Sequence, residues 1–516
     1  MLRRISSPAL VLSLCLCLFA PTTFAQRRSQ TPALNRSLSE RSYARARQVL
    51  LAGLDALGGL EAMREAADVS VKVRGHSLAR NQSLRVNPPY DRMTRDEDLY
   101  IDVRNRRYII ETRDPLPGGF VFGGRQVITG GQGFFANPRD KTVTPLNLTN
   151  FNNIGILRRL PHLLLLAAYE NQPSTLRWLG QEPHDGRMHN VVAFASSNGV
   201  QWTLFFDAQT NLLSKYEQMV SDNLAGDAVQ ETIFPGYRTI GRLKVPTGRQ
   251  TKRAGELIED VKYEEVRFNV RPPESTFAKP EGYEDLPQPT PPAIKETKLA
   301  DGVYLFESAV NSLVVEFNDY VLVVEPPVGG RGAKPTIDKA REMFPGKPLR
   351  YVVVTHHHDD HSGGVRSYVA EGVTVVTTPA NRRYFERMTT STFNINPDNQ
   401  TRKPRPITFE FIQNKRRIFE DSKQRVEVID IGPSPHAEEM LVVYLPKEKL
   451  VFQGDLVNLT NDGKYAPSTV NEATIHFADA ITRLGLDVKR IAAVHGPTTT
   501  LEDLREAIEK QRRAAR

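Results

Sequence analysis

The chain is 516 residues long, with 68 basic against 60 acidic side chains and a formal charge of +8. That length is too great for one ordinary core and implies two domains. The weak positive bias includes no basic run interleaved with aromatics, so nucleic acid is excluded as the expected partner.

At the N-terminus, Met1-Leu2-Arg3-Arg4 is a short basic lead, 9–20 is an apolar core, and Thr23-Phe24-Ala25 offers small residues for cleavage. This pattern predicts an export signal over 1–25, cleaved after Ala25, with the periplasm or the exterior as destination. The apolar run is too short to span a bilayer, and an uncleaved anchor is the alternative. Both cysteines, Cys15 and Cys17, lie inside the signal, so the expected mature chain has neither disulfides nor thiolate ligands.

Residues 26–38 are polar without a period and predict a disordered lead. Helical spacing follows over 39–57, stopped by Gly58-Gly59. The period then changes. Segments 69–75, 100–113, 190–196, 202–207 and 211–219 are short, β-rich and separated by Gly, Asn or Asp, which predicts an antiparallel meander. The exception is 154–169, containing LLLLAAY, which reads as a helix packed on the sheet. His76, His162, His184 and His189 are scattered and read as ordinary residues. Residues 286–294, beginning LPQPTPP, form a linker between a β-rich domain (39–285) and a second domain (295–516).

The second domain opens with three close strands in GVYLFES, SLVVEF and DYVLVVEPP, then a helix over 334–344. An apolar strand, 351–354, empties into THHHDDHSGG. In an extended segment alternate side chains share a face, so His356 and His358 can grip one metal. Asp360 and His361 follow where the chain turns and can reach a second. Imidazole suits zinc, and a carboxylate adds a harder ligand that can also take a proton. Downstream, His436 lies between two apolar runs, while Asp455 and His495 end two others, where α/β folds place their chemistry. His357 points to the opposite face and reads as structural. His476, on an amphipathic helix over 472–485, reads as a capping or surface residue.

These residues resemble the metallo-β-lactamase-fold hydrolase superfamily, whose pattern is HxHxDH, then His, Asp and His. The resemblance covers 295–516. It implies that His356, His358 and His436 hold one metal, Asp360, His361 and His495 a second, and that Asp455 bridges both. It also implies an αββα sandwich after the mainly antiparallel β domain, with two zinc ions per chain (iron as the alternative). A water shared by the ions would supply the hydroxide nucleophile, with Asp360 as the catalytic residue that orients it and takes its proton. Glu325 stands where the family usually carries an Asp that braces the metal loop; Thr355 and Ser362 are further braces. The expected activity is cleavage of an ester, thioester, lactone or related bond in a small-molecule substrate. The rivals are an iron-containing redox enzyme and an envelope lipid-binding protein with a structural metal domain. A true β-lactamase is not the leading expectation, because Asp455 stands where one branch uses Cys and 432–440 lacks the Thr-Pro-Gly run of another.

Residues 186–219, with 245–250 and 268–284, resemble the lipoprotein-carrier and outer-envelope sorting group, which implies a curved, unclosed barrel able to take a lipid or acyl chain. Segment 389–406 is expected as a lid or wall of the cleft. Asn458, Lys464 and Tyr465 are the candidates for contacting a substrate carbonyl or carboxylate. Oligomeric state has no signature in the chain.

Overall fold

The computed structural model describes residues 36–514 apart from 67, 79, 116–120, 147–158, 171–172, 197–198, 288–293, 309, 327–328, 461–462 and 466–468. The expected export signal, most of the lead, most of the linker and the start of the expected 154–169 helix lie outside these residues.

The first helix, Leu38–Ala56, starts where Ser37 and Glu40 form a reciprocal capping box. Its buried stripe, including Leu50 and Leu54, packs against Phe206, Leu213 and Trp202. Gly53 makes that approach possible, because a Cβ there would lie 2.4 Å from the Phe206 ring.

The helix covers part of a fourteen-stranded sheet. Four strands concern the site: β1 (Asp68–Ser77), β2 (Met93–Asp102), β3 (Arg107–Pro115) and β4 (Val121–Thr129). They are neighbours in chain order, each antiparallel to the next. The predicted β segment 100–113 is in fact a hairpin: β2 ends at Asp102, and the chain reverses through Arg106 at φ 52° into β3. Asp102 accepts from the Asn105 backbone and side chain, an Asx-type turn that the run of β-forming residues around it masks.

One face of this sheet packs on the helix Pro161–Glu170 through Val71, Val73, Leu99, Ile101, Leu163 and Ala167. Beside that cluster lies a buried ion network. Glu97, fully buried, meets Arg159 at 2.7 Å, Arg95 at 3.0 Å and Arg249 at 3.4 Å, and Arg249 also holds Glu259 at 2.8 Å. On the other face the register sets Arg74 beside Asp96 beside Arg113, and Asp98 beside Glu111 beside Arg125. Period-two alternation therefore makes this second face a strip of mixed charge.

The second domain is an αββα sandwich. A seven-stranded sheet, from Lys295–Ala300 to Phe409–Phe411, faces a six-stranded one, from Arg416–Glu420 to Thr499–Thr500. Their inner faces meet through Leu322, Val324, Val353 and Val376 against Val428, Val443, Phe452 and Val494, all essentially without exposure. Each such side chain contributes about 1.5–3 kcal/mol of transfer free energy. Helices Gly329–Met343, Val365–Ala370 and Arg382–Thr390 cover the first sheet. Glu472–Arg483 and Leu501–Ala514 cover the second. No helix among the described residues is long and apolar enough to cross a membrane.

The domains interlock. Val86, from the long β1–β2 connection, and Leu224, from the strand turn at 223–225, are buried in the second domain's cluster with Val365, Tyr384 and Met388. Segment 389–406, expected at the cleft, instead clasps the first domain. Thr392 O accepts from Asp227 N, the Asp227 carboxylate accepts from Asn394 N and Ile395 N, and Ser391 Oγ donates to Leu224 O. Arg366 anchors the segment from behind through both oxygens of Asp398.

Candidate metal centre

The strand Leu349–Val353 lies between parallel neighbours, so its chain leaves the sheet at one edge, where the next residues need partners other than the ladder. Thr355 to His358 cross that edge, and a short helix, Asp359–Ser362, carries Asp360 and His361. His436 comes from the turn after Arg425–Asp430, Asp455 from the end of Leu450–Gln453, and His495 from the end of Arg490–Ala493. Ligand atoms of His356, His358, His436 and Asp455 all lie within 4.8 Å of one another, and so do those of Asp360, His361, Asp455 and His495. Asp455 belongs to both groups.

Neighbouring groups aim each ring. Thr355 Oγ1 lies 3.0 Å from His356 Nδ1, which turns Nε2 toward His436 Nε2 at 3.2 Å. His358 Nε2 donates to the Ser83 carbonyl at 2.9 Å, leaving its Nδ1 buried without a partner. His361 Nε2 sits 3.2 Å from Asp455 Oδ2 and 3.4 Å from Asp360 Oδ2. His495 Nε2 sits 3.2 Å from Asp360 Oδ2 and 3.4 Å from Asp455 Oδ1. Asn311 holds the His495 strand end by donating to the carbonyls of Ala493 and Gly496.

Glu325 is the principal brace. It is fully buried at φ 70°, its Oε1 accepts the Thr355 N–H at 3.1 Å, and its carbonyl accepts from Ser312 Oγ. Its Oε2 lies 3.4 Å from His361 Nδ1, and neither atom has another hydrogen-bond partner. A carboxylate behind a histidine in this way fixes the tautomer and raises the basicity of the far nitrogen. Ser362 Oγ, donating to the His357 carbonyl, closes the packet. Gly454 allows the two sheets to approach, since a Cβ there would lie 2.3 Å from Thr355 Oγ1.

The residues fit a pair of divalent cations. His358 Nδ1, His361 Nε2 and Asp455 Oδ1 are buried polar atoms without hydrogen-bond partners, a costly arrangement that coordination would relieve. Burial, with the neighbouring imidazoles, holds the pKa values of His356 and His358 well below the usual histidine range, so both rings offer lone pairs at neutral pH. Burial pushes the Asp455 carboxyl upward, but His361 and His495 outweigh it and keep Asp455 ionised. A set of imidazoles and carboxylates with no thiolate suits zinc, and also iron or manganese.

Of the substrate candidates, Asn458 lines the adjoining cleft. Lys464 is exposed, and Tyr465 packs in the outer core with its hydroxyl 3.4 Å from Thr499 Oγ1; neither is among the residues that line the cleft. His357 is buried against the Tyr384 ring and belongs to neither metal group. His476 is likewise outside both groups, on Glu472–Arg483. In the first domain, His162 is buried beside Phe268 and His189 bonds Ser214 Oγ.

The cleft, about 1240 Å³, has the candidate metal-binding residues Asp360, His436, Asp455 and His495 on one side. The charged strip of β1–β4 and Gln82 form the other side. Gln82 and Ser83 belong to no motif in the sequence. The structure gives the signal: 80–92 lies in a long connection between adjacent antiparallel strands, where a tight turn is the norm, and ordered loops of that length are usually functional.

Residues 305–504 match the family model described as the Metallo-beta-lactamase superfamily. Metallo-beta-lactamase type 2 of Elizabethkingia meningoseptica is 27% identical over 175 residues, 32% of this chain and 63% of that protein. Linear primary-alkylsulfatase of Pseudomonas sp is 34% identical over 76 residues, 14% of this chain and 11% of that protein. This chain thus spans under two thirds of the length of either relative. Among solved structures, the DIM-1 metallo-beta-lactamase covers 43% of this chain and 99% of its own, at 20% identity and TM-score 0.33. The metallo-beta-lactamase from Pontibacter korlensis covers 42% and 99%, at 22% identity and TM-score 0.32. With the sandwich and both donor groups in place, the second domain of this chain belongs to the metallo-β-lactamase superfamily.

Proposed function

We propose that this protein is an exported di-zinc hydrolase acting on a small, polar molecule through an ester, thioester, lactone or sulfate-ester bond. The observation that carries this reading is the sharing of Asp455 between two complete donor groups that open on one cleft. His356, His358 and His436 would hold one ion and Asp360, His361 and His495 the other, with Asp455 common to both. Bound there, the ions would polarise the scissile carbonyl or sulfuryl oxygen and make water available as hydroxide near pH 7. Asp360 lines the cleft, with one oxygen toward His495 and the other accepting from Gln82, and so can orient a water and accept its proton. Asn458 can donate to the bond's oxygen from the cleft wall.

The charged strip narrows the substrate. An acyl chain laid on it would cover Arg113 and the Arg74–Asp98 pair, 2.6 Å apart, with hydrocarbon, and taking charges out of water is costly even when they are paired. A polar substrate meets no such penalty. Within the first domain, the face opposite the strip is already filled by the helix Pro161–Glu170 and the Glu97 network.

The test is elemental mass spectrometry of the purified mature chain, beside hydrolysis of an ester, thioester, lactone, alkyl-sulfate and cephalosporin panel. Two zinc per chain, with activity lost on chelation and restored by zinc, is the expected result. Stoichiometric iron with no hydrolysis would overturn it in favour of redox chemistry. No bound metal after reconstitution would overturn it in favour of a binding protein.

A further inference from the structure

We infer that the metal centre is completed by the first domain: the loop 80–92 acts as a positioning element, and Gln82 fixes Asp360 in its metal-facing orientation. This rests on the proposed di-metal reading and deepens it.

Asp360 and His495 are the two metal-group residues that are not fully buried. Asp360 is partly exposed and sits on a four-residue helix, and its Oδ2 is directed at His495 and His361. A carboxylate on such a short element can rotate its second oxygen into the metal site or out toward solvent. Gln82 Nε2 donates to Oδ1 at 2.9 Å, which leaves Oδ2 for the metal. One residue on, the Ser83 carbonyl accepts from His358 Nε2 and so selects the tautomer whose free Nδ1 joins the other group. Two consecutive residues of one loop thus orient one residue of each metal group.

The loop is built to hold that position. Asp91 Oδ2 accepts from Ser83 Oγ at 2.6 Å and Leu84 N at 2.7 Å. Arg80, almost fully buried, is gripped by Asp222 at 2.6 Å and by Glu256. On the second-domain side, Asn81 O accepts from Asp359 N and Leu84 O from Glu438 N, while Val86 is buried in the core. Such outer partners of metal ligands typically change affinity about 10–100-fold when removed.

The experiment uses full-length mature protein stripped of metal and titrated with Co²⁺ and Zn²⁺ against a competing chelator, following the Co²⁺ absorption bands. Gln82→Met keeps the shape and removes the donor; Gln82→Ala removes both. Both variants are expected to bind the first ion within about twofold of wild type and the second about tenfold or more weakly, with altered bands for the second only. Asp91→Ala, which releases the loop, is expected to weaken both ions. Two ions bound by Gln82→Met with wild-type affinity and bands would overturn the inference and leave the proposed function intact. A wild-type chain that binds fewer than two ions would overturn both, and two ions without hydrolysis of any substrate would overturn only the hydrolase.

Discussion

Glu325→Gln separates the brace from the fold around it. The carboxylate has two acceptor oxygens: one takes the Thr355 N–H at 3.1 Å, and the other faces His361 Nδ1 at 3.4 Å. Both neighbours are donors when His361 presents a bare Nε2 to the metal. A glutamine offers one acceptor and one donor, so it can satisfy only one of them. If its oxygen stays on Thr355, its NH₂ meets His361 and forces the proton onto Nε2, the ligand atom. If it flips, a buried amide confronts the Thr355 N–H. Either outcome leaves a buried polar group unmet, at about 1–3 kcal/mol. The first also removes an outer-shell partner, at about 10–100-fold in metal affinity or about 1.4–2.7 kcal/mol. Second-site affinity from chelator competition should therefore fall by that factor, while urea unfolding of the metal-free protein shows a loss no larger than about 3 kcal/mol. Glu325→Asp keeps both acceptors on a shorter arm and should lie between. Wild-type affinity for both ions in Glu325→Gln would refute the brace.

His358→Ala should abolish binding at the first ion and any hydrolysis with it, measured by metal content and turnover; full activity in a folded variant would refute the ligand assignment. Gly454→Ala forces a Cβ to 2.3 Å from Thr355 Oγ1 and should cost about 1–3 kcal/mol in urea unfolding while weakening the first site. Glu97→Ala leaves Arg159 and Arg249 facing a buried void and should cost about 3–5 kcal/mol; a loss under 1 kcal/mol would mean water replaces the carboxylate. Burial pushes the Glu259 carboxyl upward, but Arg249, Arg95 and Arg159 prevail and hold it at about 2. Its folded pKa is thus depressed, so its contribution is present above the unfolded value near 4.5 and is lost as pH falls toward 2. Metal-free Glu259→Gln should be less stable than wild type at pH 6 and lose less between pH 4.5 and 2, as followed by circular dichroism.

The parts of the fold legible in the residues are those governed by local period. The strand before His356, the amphipathic helix near 472–485 and the run of short strands from 69 to 219 are set by which side chains must face a core. The hairpin inside 100–113 was not legible that way. Val103 extends the apolar run by one position, but Arg104-Asn105-Arg106-Arg107 then interrupts it, and the Asx bond of Asp102 and the positive φ of Arg106 turn the chain there. Segment 389–406 has the polarity and proline content of a lid, yet its backbone N–H groups are held by Asp227 and its arginine anchor by Asp398. Composition marks such a loop as irregular without saying which surface it meets.

That the candidate metal donors come together in two groups was legible because coordination demands residue types, and His and Asp at strand ends are rare enough to stand out. Their support was not, because a hydrogen-bond brace needs only a donor or acceptor at the right place. Ser83 acts through its carbonyl, which every residue has, and Gln82 is one of many surface-type amides. What does distinguish the loop is its cost. A long irregular connection between adjacent antiparallel strands carries more ordering entropy than a tight turn. Buried Arg80, Val86 and the Asp91 bonds offset it. Where most strand connections among the described residues are short, the stabilisation that orders 80–92 is best explained by what the loop touches, His358 and Asp360. On the proposed di-metal reading, the first domain is thereby part of the scaffold that orients His358 and Asp360 rather than a neighbour of it.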